Sequence, residues 1–359
     1  MTTIKIKLLF VVEAMGGGVF TYIYNLANEL SYKYEVYIAY GVRNQTPTNY
    51  KKFFNQNIHL IEITNFTRKI SPTADIKSAV ELNKLAQYVN PDIIHLHSSK
   101  AGAIGRLLFF HKKYQLFYTP HGYSYLIQGN ILKKGIYKVI EYLLAKVKCT
   151  TISCSIGEHQ ETLKLTKNAK FVNNGISIEE LNGLLKKPRD FKNVSSKQTV
   201  FTLGRITKQK NPRLFNQIAE SLPDVQFVWI GDGELRYLLS AENIEIKGWL
   251  GRDDALKIAS QADTFLLPSL WEGLPISLLE AMYLSKKCVV SNVVGNKDVI
   301  NNGKNGYICD TLFEYVDAIH TSNNNVNIQA HNDILDKSTT HIMSEKYAQI
   351  YSESIKMCS

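Results

Sequence analysis

Short, β-branched apolar runs alternate with longer amphipathic stretches from the first residues onward. IKIKLLFVV is followed by VFTYIYNLANEL, YEVYIAY and IHLIEI come next, and TADIKSAVELNKLAQYV leads into DIIHLH. A short apolar run fits a strand, whereas apolar positions recurring at three and four residues fit one face of a helix. Strands that alternate with helices predict parallel βαβ units rather than hairpins. The alternation continues through KAGAIGRLLFFHKK, QLFYTP, ILKKGIYKVIEYLLAKV and CTTISC to AKFVNN.

The polar segment NGISIEELNGLLKKPRDFKNVSSKQ then breaks the pattern and reads as the seam between two domains. A second series follows: TVFTLG, a helix from about Pro212, VQFVWIG, a helix near Glu234, IEIKGW, a helix from about Arg252, DTFLLP, a helix from about Pro275, KCVVS and YIC. Both series open with a hydrophobic strand, a glycine and a helix. The expected architecture is α/β, with two doubly wound Rossmann-like domains, 1–174 and 175–341, facing across a cleft. Ligands of such sheets bind beyond the carboxyl ends of the strands. After the polar stretch TSNNNVNIQAHND, a terminal helix at about 342–357 either caps its own lobe or returns to the first.

A chain of 359 residues with 45% hydrophobic content can bury two cores. Its five cysteines are scattered and form no CxxC pair, so neither a disulfide framework nor a zinc site is indicated, and a reducing, cytoplasmic compartment fits. Glu13 and three glycines end the first apolar run too early for a signal peptide, and no apolar segment reaches bilayer-spanning length. The protein is therefore expected to be soluble or held at a membrane surface. The net charge of +10 favours anionic partners without choosing among them, and no nucleic-acid motif accompanies it. The basic segment 131–148 reads either as a core helix with a solvated lysine face or as a helix lying on an anionic membrane.

Candidate chemistry gathers where strands end. In WEGLPISLLE, Pro275 suits the first turn of a helix, whose free amides and positive dipole end would face an anion near Gly273. Glu272 would precede that helix, and Glu280 would lie more than a turn inside it. Burying an unpaired carboxylate costs several kcal/mol, roughly, so Glu280 among Leu278, Leu279, Ala281 and Met282 either faces solvent or meets a partner, such as a vicinal diol. Arg205 and Lys210 follow the strand TVFTLG, where a guanidinium fork and an ammonium make a clamp for a diphosphate.

Gly16, Gly17 and Gly18 miss the GxGxxG spacing of dinucleotide folds but permit close approach of backbone to a phosphate or sugar. His121, in YTPHGYSY, is placed to hydrogen-bond a sugar hydroxyl or developing charge. His95 and His97 share one face of a strand, and with no third ligand nearby they read as packing residues rather than metal ligands. There is no GxSxG and no cysteine in a reactive context, which argues against covalent hydrolysis.

With these residues in hand, the chain resembles the retaining GT-B glycosyltransferases of family 4. WEGLPISLLEA resembles the E-x7-E motif of that family, LGRITKQKN its G-R-x4-K loop, and HLHSSKAGAIGRL, TPHGYS, NNGI and GDGELR further segments in the same order. The resemblance implies a nucleotide-sugar donor, UDP-linked, held by the second domain, and a saccharide or lipid-diphosphate-saccharide acceptor held by the first. By position, Glu280 would bind ribose hydroxyls, Arg205 and Lys210 the diphosphate, and Glu272 with Gly273, Leu274 and Pro275 the donor sugar. His121 would reach a sugar hydroxyl, Gly17 and Gly18 the phosphate side, and the backbone near Trp249 the base. Where many members carry G-x-P-E, this chain has GNKDV, with Asp298 at or near the glutamate position.

The family also implies a retaining, same-face displacement with no bound metal and no cofactor. Cations and a helix dipole would stabilise the leaving diphosphate. The activity implied is transfer of a hexose or N-acetylhexosamine in cell-surface polysaccharide synthesis. A nucleotide-sugar epimerase of the same fold and a non-catalytic sugar-nucleotide-binding subunit are the competing readings.

Overall fold

The computed structural model describes residues 5–13, 15–43, 46–67, 71–126, 131–185 and 197–356. The chain forms two units, Met1–Asn174 with Thr340–Ser359, and Gly175–Thr339.

The first unit holds strands β1 (Lys7–Val12), β2 (Glu35–Tyr40), β3 (His59–Glu62), β4 (Ile93–His97), β5 (Gln115–Thr119), β6 (Thr150–Ser153) and β7 (Ala169–Phe171). They pair in parallel in the order β3-β2-β1-β4-β5-β6-β7, so the strand order reverses between β1 and β4. β4 is buried along its whole length, which explains why IIHLH carries no exposed polar alternation. The terminal helix, Thr340–Lys356, begins earlier than the spacing predicted and packs on the helix Gly17–Leu30. Its hold is polar as well as apolar. Tyr22 donates to the Tyr347 hydroxyl, and Tyr351 lies 2.6 Å from His95 Nδ1.

The second unit holds β8 (Thr199–Leu203), β9 (Gln226–Ile230), β10 (Ile244–Gly248), β11 (Thr264–Leu267), β12 (Lys287–Ser291) and β13 (Tyr307–Cys309). Its order is β10-β9-β8-β11-β12-β13, again parallel, and the reversal falls between β8 and β11. Trp229 anchors the core edge-on to Phe215 at 4.8 Å, and its indole N–H donates to the Gly204 carbonyl at 2.8 Å. One buried ring thus joins the core to the loop that follows β8.

Several expectations need correction. The segment read as a seam contains a helix, Ile178–Leu185, that packs against the helix Arg252–Gln261, and its residues 186–196 lie outside the described residues. The polar stretch near 324 is also helical, Asn324–Lys337, because Val326, Ala330 and Ile334 recur at four-residue spacing and are buried. Near Glu234 there is only a short 3-10 turn, Arg236–Leu238. Pro275 is the N-cap of the helix Ile276–Tyr283 and not its first residue, with φ −73° and ψ 119°. Its carbonyl accepts the first helical bond, from Leu278 N at 3.0 Å.

Candidate active site

In the second unit, the loops leaving β8 and β11 flank the reversal of strand order, where doubly wound sheets bind ligands. The β8 loop brings Gly204, Arg205, Gln209 and Lys210; the β11 loop brings Ser269, Glu272, Gly273, Leu274 and Pro275. They are joined by an ion pair, Lys210 Nζ to Glu272 Oε1 at 2.7 Å, and the Glu272 side chain is only 6% exposed. Ser269 donates to the same oxygen at 2.7 Å, and Gln209 Nε2 donates to the other at 3.2 Å. Glu272 is therefore fixed in position on both oxygens. Arg205 is half-buried in the same loop, and no ion pair joins its guanidinium among the described residues.

Glycines make this packing feasible. Gly204 has φ +144°, and a Cβ there would meet the Lys210 chain at 3.2 Å. Gly295, in the GNKDV segment, is more constrained, since a Cβ would lie 1.7 Å from the Gly273 carbonyl oxygen. At Gly273 itself a Cβ would meet nothing within 4 Å, so that side of the loop is open. Asp298 is the C-cap of the short helix Val294–Lys297, of which Gly295 is the second residue.

Glu280 does not face solvent. It is 3% exposed, and its Oε1 lies 2.6 Å from Arg252 Nη2. Arg252 also donates from Nε to Glu180 Oε1 at 2.7 Å, so one guanidinium bridges two carboxylates. Burial pushes the Glu280 carboxyl above its ordinary value, and Arg252 opposes that shift. The partner sought for Glu280 in the sequence is thus at least in part a side chain of this chain. It went unnoticed because Arg252 and Glu180 are far from Glu280 in sequence, and Glu180 sits in the segment read as a seam. Ser269 and Gln209 were missed as well, although Ser269 lies three residues before Glu272.

Trp249 follows β10 and is 63% exposed, directly after Gly248, whose φ is +69°. Leu274 and Pro275 are buried.

In the first unit, His121 takes a left-handed φ of 54°, uncommon for a residue with a Cβ. The loop is pinned by Glu158, which accepts from Gly122 N at 2.6 Å and from Cys154 N at 2.8 Å. His121 Nε2 lies 3.1 Å from His97 Nδ1, and its ring packs edge-on against Tyr22. Burial holds His121 well below the ordinary histidine value, at about 3, so it is a neutral hydrogen-bonding group near neutral pH. His95 and His97 are buried and shifted down in the same sense. Among the described residues no three His, Cys, Asp or Glu side chains converge as a metal-binding group. Gly17 opens the helix Gly17–Leu30 with φ +60°, and beside both Gly17 and Gly18 a Cβ would meet nothing within 4 Å. The glycine run is therefore a helix start with open space in front of it.

Two doubly wound parallel sheets in one chain, the second carrying an ion pair at its switch point, are the arrangement of the GT-B fold. Comparison with known proteins agrees. The family described as "Glycosyltransferase Family 4" matches residues 16–180, and "Glycosyl transferases group 1" matches 185–321. The UDP-Gal:alpha-D-GlcNAc-diphosphoundecaprenol alpha-1,3-galactosyltransferase of Escherichia coli is 30% identical over 287 residues, covering 72% of each chain. An uncharacterized 41.2 kDa protein in the cps region of Klebsiella pneumoniae is 28% identical over 355 residues, 95% of this chain and 92% of that one. Among solved structures, Anabaena HepE in complex with UDP and glucose superposes with a TM-score of 0.79 at 16% identity, covering 97% of this chain and all of that one (100%). The chain belongs to the family 4 glycosyltransferases.

Proposed function

We propose that this glycosyltransferase moves a hexose or N-acetylhexosamine from a UDP-sugar to a saccharide carried on a lipid diphosphate, in the synthesis of a cell-surface polysaccharide. The observation that carries this reading is the Lys210–Glu272 pair at the switch point of the second sheet, with Arg205 in the same loop as Lys210. Two cations there suit a diphosphate, and a carboxylate held on both oxygens suits hydroxyls of the donor sugar. The relatives support the substrate class. The E. coli enzyme is named for UDP-Gal and a diphosphoundecaprenol-linked acceptor, and another E. coli relative for O-antigen biosynthesis.

In this reading Glu280 takes the ribose hydroxyls, with the guanidinium of Arg252 sharing its carboxylate. Arg205 and Lys210 bind the diphosphate and offset the charge that builds on it as the glycosidic bond breaks. His121, neutral, donates to or accepts from a sugar hydroxyl. Gly17 and Gly18 leave room for a phosphate or sugar to approach the backbone, and Trp249 lies beside the base. Transfer proceeds with retention and without a metal, the leaving phosphate oxygen helping to take the acceptor proton. A lipid-linked acceptor would draw the enzyme to the cytoplasmic face of a membrane, and the unbridged cysteines Cys149, Cys154, Cys288 and Cys309 suit that reducing side.

A thermal-shift screen with UDP-, GDP- and dTDP-sugars identifies the donor. UDP release is then measured with the donor alone and with a synthetic sugar-diphosphate lipid, with and without chelator. Acceptor-dependent release supports transfer. A changed sugar nucleotide formed without acceptor indicates an epimerase, and binding without turnover indicates a non-catalytic subunit. The anomeric configuration of the product, read by NMR, tests retention.

A further inference from the structure

The helix Ile131–Leu144 is built inside out. Its inward side is formed by Glu141 and Leu144, which are buried, and Tyr137, which packs on the core. Glu141 pairs with Arg106 at 2.7 Å in the interior, so even this inward side is partly polar. The more apolar stripe points the other way. Ile131 is 86% exposed and Leu132 74%, and Ile136, Val139, Ile140 and Leu143 are exposed with them. At a hundred degrees per residue, roughly, these six side chains share one face, centred nearly opposite Glu141. A helix that only capped a core would put this stripe inside.

The charges around the stripe are of one sign. Lys133, Lys134, Lys138, Lys146 and Lys148 lie in or just after the helix, and its single carboxylate, Glu141, is already paired. The neighbouring helix Ser99–Phe109, which carries Arg106, adds exposed Leu107 and is followed by exposed Phe110 and then Lys112 and Lys113. A helix of this length, roughly 21 Å, is too short to cross a bilayer. An apolar face rimmed by lysines matches the boundary between acyl chains and anionic headgroups.

We infer that the outward face of Ile131–Leu144 is a docking surface for an anionic lipid bilayer, on which the helix lies in the membrane plane. A protein partner would need acidic groups around an apolar groove; a bilayer supplies both over any area. The inference does not depend on which donor or acceptor the enzyme uses.

The test is flotation of the full chain with vesicles of phosphatidylcholine alone and with phosphatidylglycerol added. Binding is expected only to the anionic vesicles, and it should weaken as salt screens the lysines. The exposed pair Ile136→Asp and Val139→Asp should abolish it, and Lys133→Glu with Lys134→Glu should lower partitioning by about tenfold or more. Both variants should keep the wild-type melting temperature and donor binding, because none of these positions is buried. No binding to anionic vesicles at low salt overturns the inference, and so does unchanged binding by the aspartate variant. If sedimentation shows a dimer that the aspartate variant dissolves, while vesicles leave the wild type unbound, the face joins two copies and the inference fails.

Discussion

Lys210 Nζ and Glu272 Oε1 lie 2.7 Å apart, one from each of the two loops that flank the strand-order reversal of the second sheet. The pair holds together two segments separated by 62 positions, and it orients both groups before any ligand arrives. Lys210→Met should leave a nearly buried carboxylate without its cation, at a cost of about 2 kcal/mol. Lys210→Met combined with Glu272→Gln should recover much of that stability without recovering turnover. Denaturant unfolding and a coupled UDP-release assay measure the two effects separately, and additive stability losses would contradict the coupling.

Glu272→Ala and Glu280→Ala should differ in kind. The first is expected chiefly to lower kcat, since the proposed function sets the carboxylate against the reacting sugar. Glu280→Ala should weaken UDP binding about tenfold or more, the loss of a charge-assisted hydrogen bond. Wild-type UDP affinity by calorimetry in the second variant would refute the assignment.

Arg252→Gln should behave differently from either. Burial already opposes ionisation of Glu280, and Arg252 is the group that counters it. Without it the carboxyl should take up a proton at a higher pH, so UDP affinity in the variant, which rests on the ionised carboxylate, should be lost at a higher pH than in the wild type as pH falls. A pH series of UDP titrations checks this, and parallel profiles for wild type and variant would contradict it.

Gly295→Ala should be severe for the addition of a single methyl group. The added methyl would lie 1.7 Å from the Gly273 carbonyl oxygen, and backbone on both sides leaves no flexible chain to yield. A destabilisation of about 3 kcal/mol is expected, with displacement of the Glu272 loop. A melting curve near wild type would show that the two loops are not packed as described.

The buried histidines predict a stability profile. His95, His97 and His121 are all held below the ordinary value of 6.5, His121 to about 3. Between those values the unfolded chain binds more protons than the folded one, so stability rises with pH across this window and is lost as pH falls through it. Urea midpoints at ~pH 5 and ~pH 8 should differ in that direction. His97→Gln should lessen the difference, and an unchanged slope would contradict the burial argument.

Much of the fold was legible because its strands are apolar along their length and its helices amphipathic, patterns that local sequence carries. The residues that meet in the second unit were legible as neighbours for a related reason: they cluster at strand ends, in short motifs such as LGRITKQKN and WEGLPISLLE. What escaped were elements whose helical stripe is narrow. Val326, Ala330 and Ile334 are three small apolar anchors in an asparagine-rich stretch, and the Glu180 helix hides in a segment rich in lysine and serine.

The sequence by itself determined two parallel α/β units and the residues gathered at the carboxyl ends of their strands, because hydrophobic periodicity and glycine placement are local properties. Only the tertiary structure decided what meets what. Arg252 reaching Glu280, Lys210 holding Glu272, Gly295 lying under Gly273, and the terminal helix joining the first unit through Tyr347 and Tyr351 all join residues distant in the chain. The carboxylate in WEGLPISLLE shows the reason. Burial made a partner necessary, but the identity of that partner depended on how separate helices pack, which no local pattern records.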